Sequence, residues 1–168
     1  MQDVKDALKA LEESKIFLEY KKDNSKSYLV NAFTMVEPKH PDIVWQLGYY
    51  NKNKDRIVTF VINDEVERHP ESEVFKEKDT ISPLEISKVK IGVETGIENA
   101  LKCQKKKYPR DFPMKSIILL QNFEGHSIYN ITFVTQTFKT LNIKISSQDG
   151  RVVDDKIHSL FDFNDKSR

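Results

Sequence analysis

The sequence predicts an α+β fold of two α-β-β-β units, each a helix packed on a three-stranded antiparallel meander. Three observations carry that expectation. Apolar residues recur at helical spacing twice, at the start and near the middle of the chain. Each such stretch leads into three strand-like runs joined by short polar connections. The second series of strands can also be laid on the first. Short connections demand antiparallel neighbours, because a parallel pair needs a long crossover.

Val4, Ala7, Leu8, Leu11 and Leu18 follow helical spacing, with Lys5, Lys9, Glu12 and Glu13 on the opposite face. Asp3 stands at the amino end, where negative charge favours the helix dipole. The Asp-Asn-Ser cluster of KKDNSKS reads as a turn. SYLVNAFTMVEP, closed by Pro38, is the first strand, DIVWQLGYY the second, and RIVTFVIND the third, after the tight connection NKNKD. EVERHPESEVFKEKDTIS is charged and poor in apolar residues, so it reads as an exposed connector. SPLE, Ser82 to Glu85, matches a capping box with proline at the first helical position. Val93, Ile97, Ala100 and Leu101 give the firmer helix, from about Val93 to Lys107, which PRDFP stops.

MKSIILLQNF, IYNITFVTQ and LNIKISS are the strands of the second unit, separated by the turns EGHS and TFKT. Asp149-Gly150 is a further turn, because glycine accepts positive φ at little cost. RVVDD adds a short strand edge, and the tail frays. Placing Tyr129–Gly150 on Val44–Asp64 aligns Trp45 with Ile131, Leu47 with Phe133, and Val61 with Ile143 or Ile145. The expected boundaries are 1–66 for the first unit, 67–82 for the connector, 83–160 for the second unit and 161–168 for the tail.

In the 168 residues, 38% are hydrophobic, 32% charged and 10% aromatic, which suits a folded chain with much surface. The formal net charge of +1 provides no long-range field toward nucleic acid or anionic lipid, so any such patch must be local. Cys103 is the sole cysteine, which excludes an intramolecular disulfide and a Cys-rich zinc site. The charged amino terminus lacks the apolar run of a signal peptide, and no stretch approaches a membrane span. A cytoplasmic location is therefore expected, with no membrane partner. The glycosylation match Asn130-Ile131-Thr132 lies in a predicted strand and reads as chance.

His40, His69, His126 and His158 lack metal-ligand spacing, and two of them precede proline in extended loops. Cys103, near Lys102 and Lys105, reads as a partly buried structural thiol. KCQKKKYPR gathers Lys102, Lys105, Lys106, Lys107 and Arg110 around Tyr108. That pattern can grip phosphates, yet lysines also complement a helix carboxyl end. Nucleic acid is not the expected partner on this reading. Asp154-Asp155 and Glu12-Glu13 lack partners that would split their pKa values for acid–base work. No G-x-G-x-x-G, phosphate loop, H-E-x-x-H or G-x-S-x-G occurs. No catalytic residue, metal ligand or cofactor is expected. Trp45, Tyr49 and Tyr50 are the candidate partner-binding residues, with Trp45 and Tyr49 on one strand face and Tyr50 on the other.

The run IKISSQDGRVV, closing a helix and meander, is similar to the end of a PepSY domain, whose repeats finish on the pattern D-A-x-T-G-x-V. Ile145, Gly150 and Val152 fall on its apolar, glycine and valine positions. Ser146, Ser147 and Asp149 stand where the family has aspartate, alanine and threonine. The resemblance implies a PepSY/cystatin-like arrangement and a regulatory or protein-binding module, with no catalytic residues to carry over. The whole reading is a non-enzymatic protein that binds a peptide or protein through a sheet edge or face, or pairs edge to edge as a homodimer. The alternative is a small-ligand binder with a pocket of at least roughly 300 Å³ between helices and sheet.

Overall fold

The computed structural model describes residues 3–37, 42–74 and 81–160. Pro38, His40 and the 161–168 tail lie outside the described residues.

The chain opens with two helices, not one. Asp3 caps α1 (Val4–Glu13) by accepting from the Lys5 N–H at 2.8 Å. The helix ends at Ser14, where ψ swings to 140°. Ser14 then caps α2 (Lys15–Asp23), its Oγ accepting from the Phe17 N–H at 3.2 Å. That break rotates the apolar face. Val4, Ala7 and Leu11 are buried in α1, but Phe17 and Tyr20 take over in α2, leaving Leu18 55% exposed.

The strands are β1 (Tyr28–Val36), β2 (Trp45–Asn51), β3 (Arg56–Ile62), β4 (Val66–Arg68), β5 (Ser72–Glu73), β6 (Pro113–Phe123), β7 (His126–Thr135), β8 (Lys139–Ser146) and β9 (Val152–Ser159). Between β5 and β6 come a 3₁₀ turn at Ile86–Lys88 and α3 (Val93–Lys107). The Ser82–Glu85 capping box starts no α-helix. Part of the expected connector, by contrast, is strand: β4 and β5 both pair with β3.

The expectation of two separate helix-on-meander units is corrected here. All nine strands of the described residues form one antiparallel sheet in the order β4-β3-β2-β1-β6-β7-β8-β9, with β5 also on β3. The join is β1 with β6, which pair from Asn31↔Gln121 to Val36↔Ser116. Two independent meanders would each have left a long apolar strand with unpaired N–H and C=O groups. Pairing them with each other satisfies both at once.

One cross-strand row shows the covered face: Phe60, Leu47, Ala32, Leu120, Tyr129 and Ile145 lie side by side across six strands and are all buried. A second row runs Thr34, Ile118, Ile131, Ile143 and Asp155. Helix α1 packs over β2 and β3, α2 over β4, and α3 over β7, β8 and β9. Each fully buried Leu or Ile contributes about 1.5–3 kcal/mol of transfer free energy. α3 approaches closely at Gly96, where a β-carbon would stand 3.2 Å from Tyr129 Cδ2, and Tyr129 Oη donates to the Ile91 carbonyl at 2.9 Å.

Candidate binding surfaces

Trp45 and Tyr49 face the helices, and neither is accessible. Tyr49 packs edge-on against Phe17 at 4.8 Å between ring centroids, inside a cluster completed by Tyr20 and Phe60. Tyr50 lies on the opposite sheet face but is only 2% exposed. Tyr28 stacks on it edge-on at 5.8 Å, and the Tyr50 hydroxyl donates to Asp55 Oδ1 at 2.6 Å. The surface open to a partner is thus built by other residues.

Among the described residues no helix packs on that opposite face. Its central row is Val61, Gln46, Phe33, Leu119, Asn130, Lys144 and Asp154, and the row beside it is Met35, Ile117, Thr132, Asn142 and Lys156. The middle, on β1 and β6, is apolar and half-buried to exposed: Phe33, Met35, Ile117 and Leu119. Toward β9 it turns polar and ordered, with Asn142 Nδ2 donating to Asn130 Oδ1 at 2.6 Å and to Thr132 Oγ1 at 2.8 Å. Lys144 closes this side on Asp154 at 2.7 Å. The signal for this face is present in the sequence. Ile117 to Leu120 is an unbroken apolar run, so it cannot hide all its members under helices on one side.

The β9 edge, which no other described strand pairs, is blunted. A register shift at Lys144/Ile145 bulges the pairing, and Asp154, Asp155 and Lys156 put charge along the strand.

A cleft of about 410 Å³ opens beside α3, lined by Asn99, Lys102, Cys103, Lys106, Lys107, Gly150 and Val152. Asn99 Nδ2 donates to the Gly150 carbonyl at 3.0 Å and ties the helix to the β8–β9 turn. Burial, and secondly the Asp155 carboxylate, push the Cys103 thiol upward, so it stays protonated and a poor nucleophile. His69, His126 and His158 are exposed on separate strands or connections, and His40 lies outside the described residues. Among the described residues no three His, Cys, Asp or Glu side chains gather around a point.

Beside this cleft, Asp155 accepts from Lys107 at 2.5 Å and from the Tyr108 hydroxyl at 2.6 Å. The Lys107 ammonium first, then Tyr108, holds the Asp155 carboxyl below its ordinary value of 3.8; the same bond pushes Tyr108 up to about 12. A carboxyl depressed in the folded state stabilises fully above its unfolded pKa, and the gain vanishes as pH falls through the folded value. Thermal melts should therefore lose stability on acidification below about pH 4, and Asp155→Asn should flatten that fall. An unchanged acid limb in the variant would show that the Lys107–Asp155–Tyr108 contact stores no linkage.

No helix among the described residues is long and apolar enough to cross a membrane. No family model and no curated protein matches the chain, so the PepSY resemblance rests on its residues alone. The fold is similar to the crystal structure of a candidate lipoprotein from Clostridium difficile 630, at a TM-score of 0.59 over 93% of each chain with 14% identity.

Proposed function

We propose that the protein is a non-catalytic binding module that receives a peptide or protein segment across its open sheet face. One observation carries this reading: Phe33, Met35, Ile117 and Leu119 form a contiguous apolar centre on a face that no described helix covers. Apolar centres framed by polar groups are the anatomy of protein interfaces. The bulged, charged β9 edge makes strand addition there the weaker route. The test is a random-peptide display selection on the full chain, with Met35→Lys/Leu119→Lys as the counter-target. Peptides enriched on the wild type and lost on the double variant support the face; peptides that bind both equally overturn it. Both substitutions sit on the solvent side, so the variant's thermal midpoint should stay close to that of the wild type.

A second reading, small-ligand binding, is favoured by the α3 cleft, whose lysines and apolar wall suit a small amphipathic anion. Thermal-shift screening of organic acids and phosphates tests it, with Lys102→Ala/Lys106→Ala as the control that should abolish any shift.

A further inference from the structure

We propose that the sheet end at which α3 finishes docks peripherally on an anionic lipid bilayer. Three segments distant in sequence meet there: the loop from Tyr108 to Phe112, the β7–β8 turn, and Leu160 after β9. The Gln136 N–H donates to the Phe112 carbonyl at 3.0 Å, and the Leu160 N–H donates to the Phe138 carbonyl at 3.0 Å. Together with the start of β6 they display Phe112, Met114, Phe138 and Leu160, which are 56%, 61%, 62% and 40% exposed.

Phe138 is the informative one. Its φ is 56°, a left-handed conformation that aromatic residues rarely adopt and that glycine or asparagine adopts easily. The turn is not loose. Thr137 Oγ1 donates to Asp111 Oδ1 at 2.5 Å, Lys139 Nζ lies 3.0 Å from the same oxygen, and the Lys139 N–H donates to Thr135 Oγ1 at 3.1 Å. The turn is clamped firmly around a strained residue that is mostly exposed, and strain of this kind concentrates at functional surfaces.

Charge selects the partner. Lys105 and Lys106 in the last turn of α3, and Arg110 in the loop, are exposed and pair with no carboxylate among the described residues. The carboxylates nearby are already engaged, Asp111 by Lys139 and Thr137, Asp155 by Lys107 and Tyr108. Cations that pair with no carboxylate among the described residues thus accompany apolar side chains carried on loop tips and strand ends. Rings that enter the acyl boundary while lysines meet lipid phosphates are the arrangement of a peripheral membrane contact. It crosses nothing and needs no spanning helix.

Co-sedimentation of the full chain with phosphatidylglycerol vesicles and with phosphatidylcholine vesicles tests the proposal. Binding to the anionic vesicles should exceed the neutral by on the order of 100-fold, about fivefold for each of three cations, and should fall with salt. Lys105→Ser/Lys106→Ser should weaken it about 25-fold. Phe138→Asn keeps a residue that adopts this φ easily, so the chain should still melt cooperatively while vesicle binding drops about tenfold. Absent binding, equal binding to both vesicles, or undiminished binding by Phe138→Asn would overturn the proposal. Binding to a single-stranded oligonucleotide without vesicle binding would overturn it in favour of nucleic acid.

Discussion

Ile118→Ala is expected to cost about 2–5 kcal/mol, and the fluorescence of Trp45 is expected to report the whole loss. Ile118 is fully buried on β6, with Thr34 of β1 on one side and Ile131 of β7 on the other. Removing its outer carbons leaves a void that a continuous sheet can close only partly. Trp45, the single tryptophan, is on β2, in the other half of the chain. Were each half to stand on its own sheet, a cavity in β6 would leave the environment of Trp45 untouched. With β1 bonded to β6, both halves melt together. The measurement is denaturant unfolding followed by tryptophan emission and by far-ultraviolet dichroism. Coincident curves, shifted together, agree with one sheet; a Trp45 transition unmoved from wild type refutes it.

Gly150→Ala should cost about 1–3 kcal/mol, the range for a residue held in a sparsely populated backbone region. Gly150 has φ +76°, and an added β-carbon would stand 2.7 Å from Asn99 Nδ2. That amide is the one that donates to the Gly150 carbonyl, so the clash falls on the contact that anchors α3 to the β8–β9 turn. Gly125 is the built-in control. It has φ +85° but nothing within 4 Å, so Gly125→Ala carries the backbone cost alone. The Gly150 variant should melt several degrees below the Gly125 variant, at about 2–4 °C per kcal/mol for a chain of this size. Equal midpoints would mean that Asn99 yields freely and the tie contributes nothing.

The local signals in the sequence were good and the distant ones were not. Val93, Ile97, Ala100 and Leu101 marked α3, and Asp149-Gly150 marked its turn, because propensity and periodicity act within a few residues. The opening helix was read through Ser14, since Leu18 fits an unbroken period; the serine's capping hydroxyl breaks the helix and turns Phe17 and Tyr20 inward instead. β4 and β5 escaped notice because they are short and, apart from Val66, polar and exposed, held by backbone pairing with β3. The β1–β6 join had no local trace at all. The candidate partner-binding aromatics are buried, because Trp45 and Tyr49 point under the helices and Tyr28 stacks on Tyr50. The surfaces themselves draw on Phe33 with Leu119, and on Phe112 with Phe138, pairs that only the finished sheet brings together.

The β1–β6 seam also sets a timetable for folding. It joins residues in the thirties to residues near 120, so a chain emerging from the ribosome completes its first meander long before the strand that must cap it exists. Until then β1 carries an apolar, unsatisfied margin, the kind of surface that holdase chaperones retain and that misassembles when crowded. Sheets closed by such remote pairings nucleate late and slowly. Refolding of this protein should accordingly be slow for its size and increasingly prone to off-pathway association as its concentration rises.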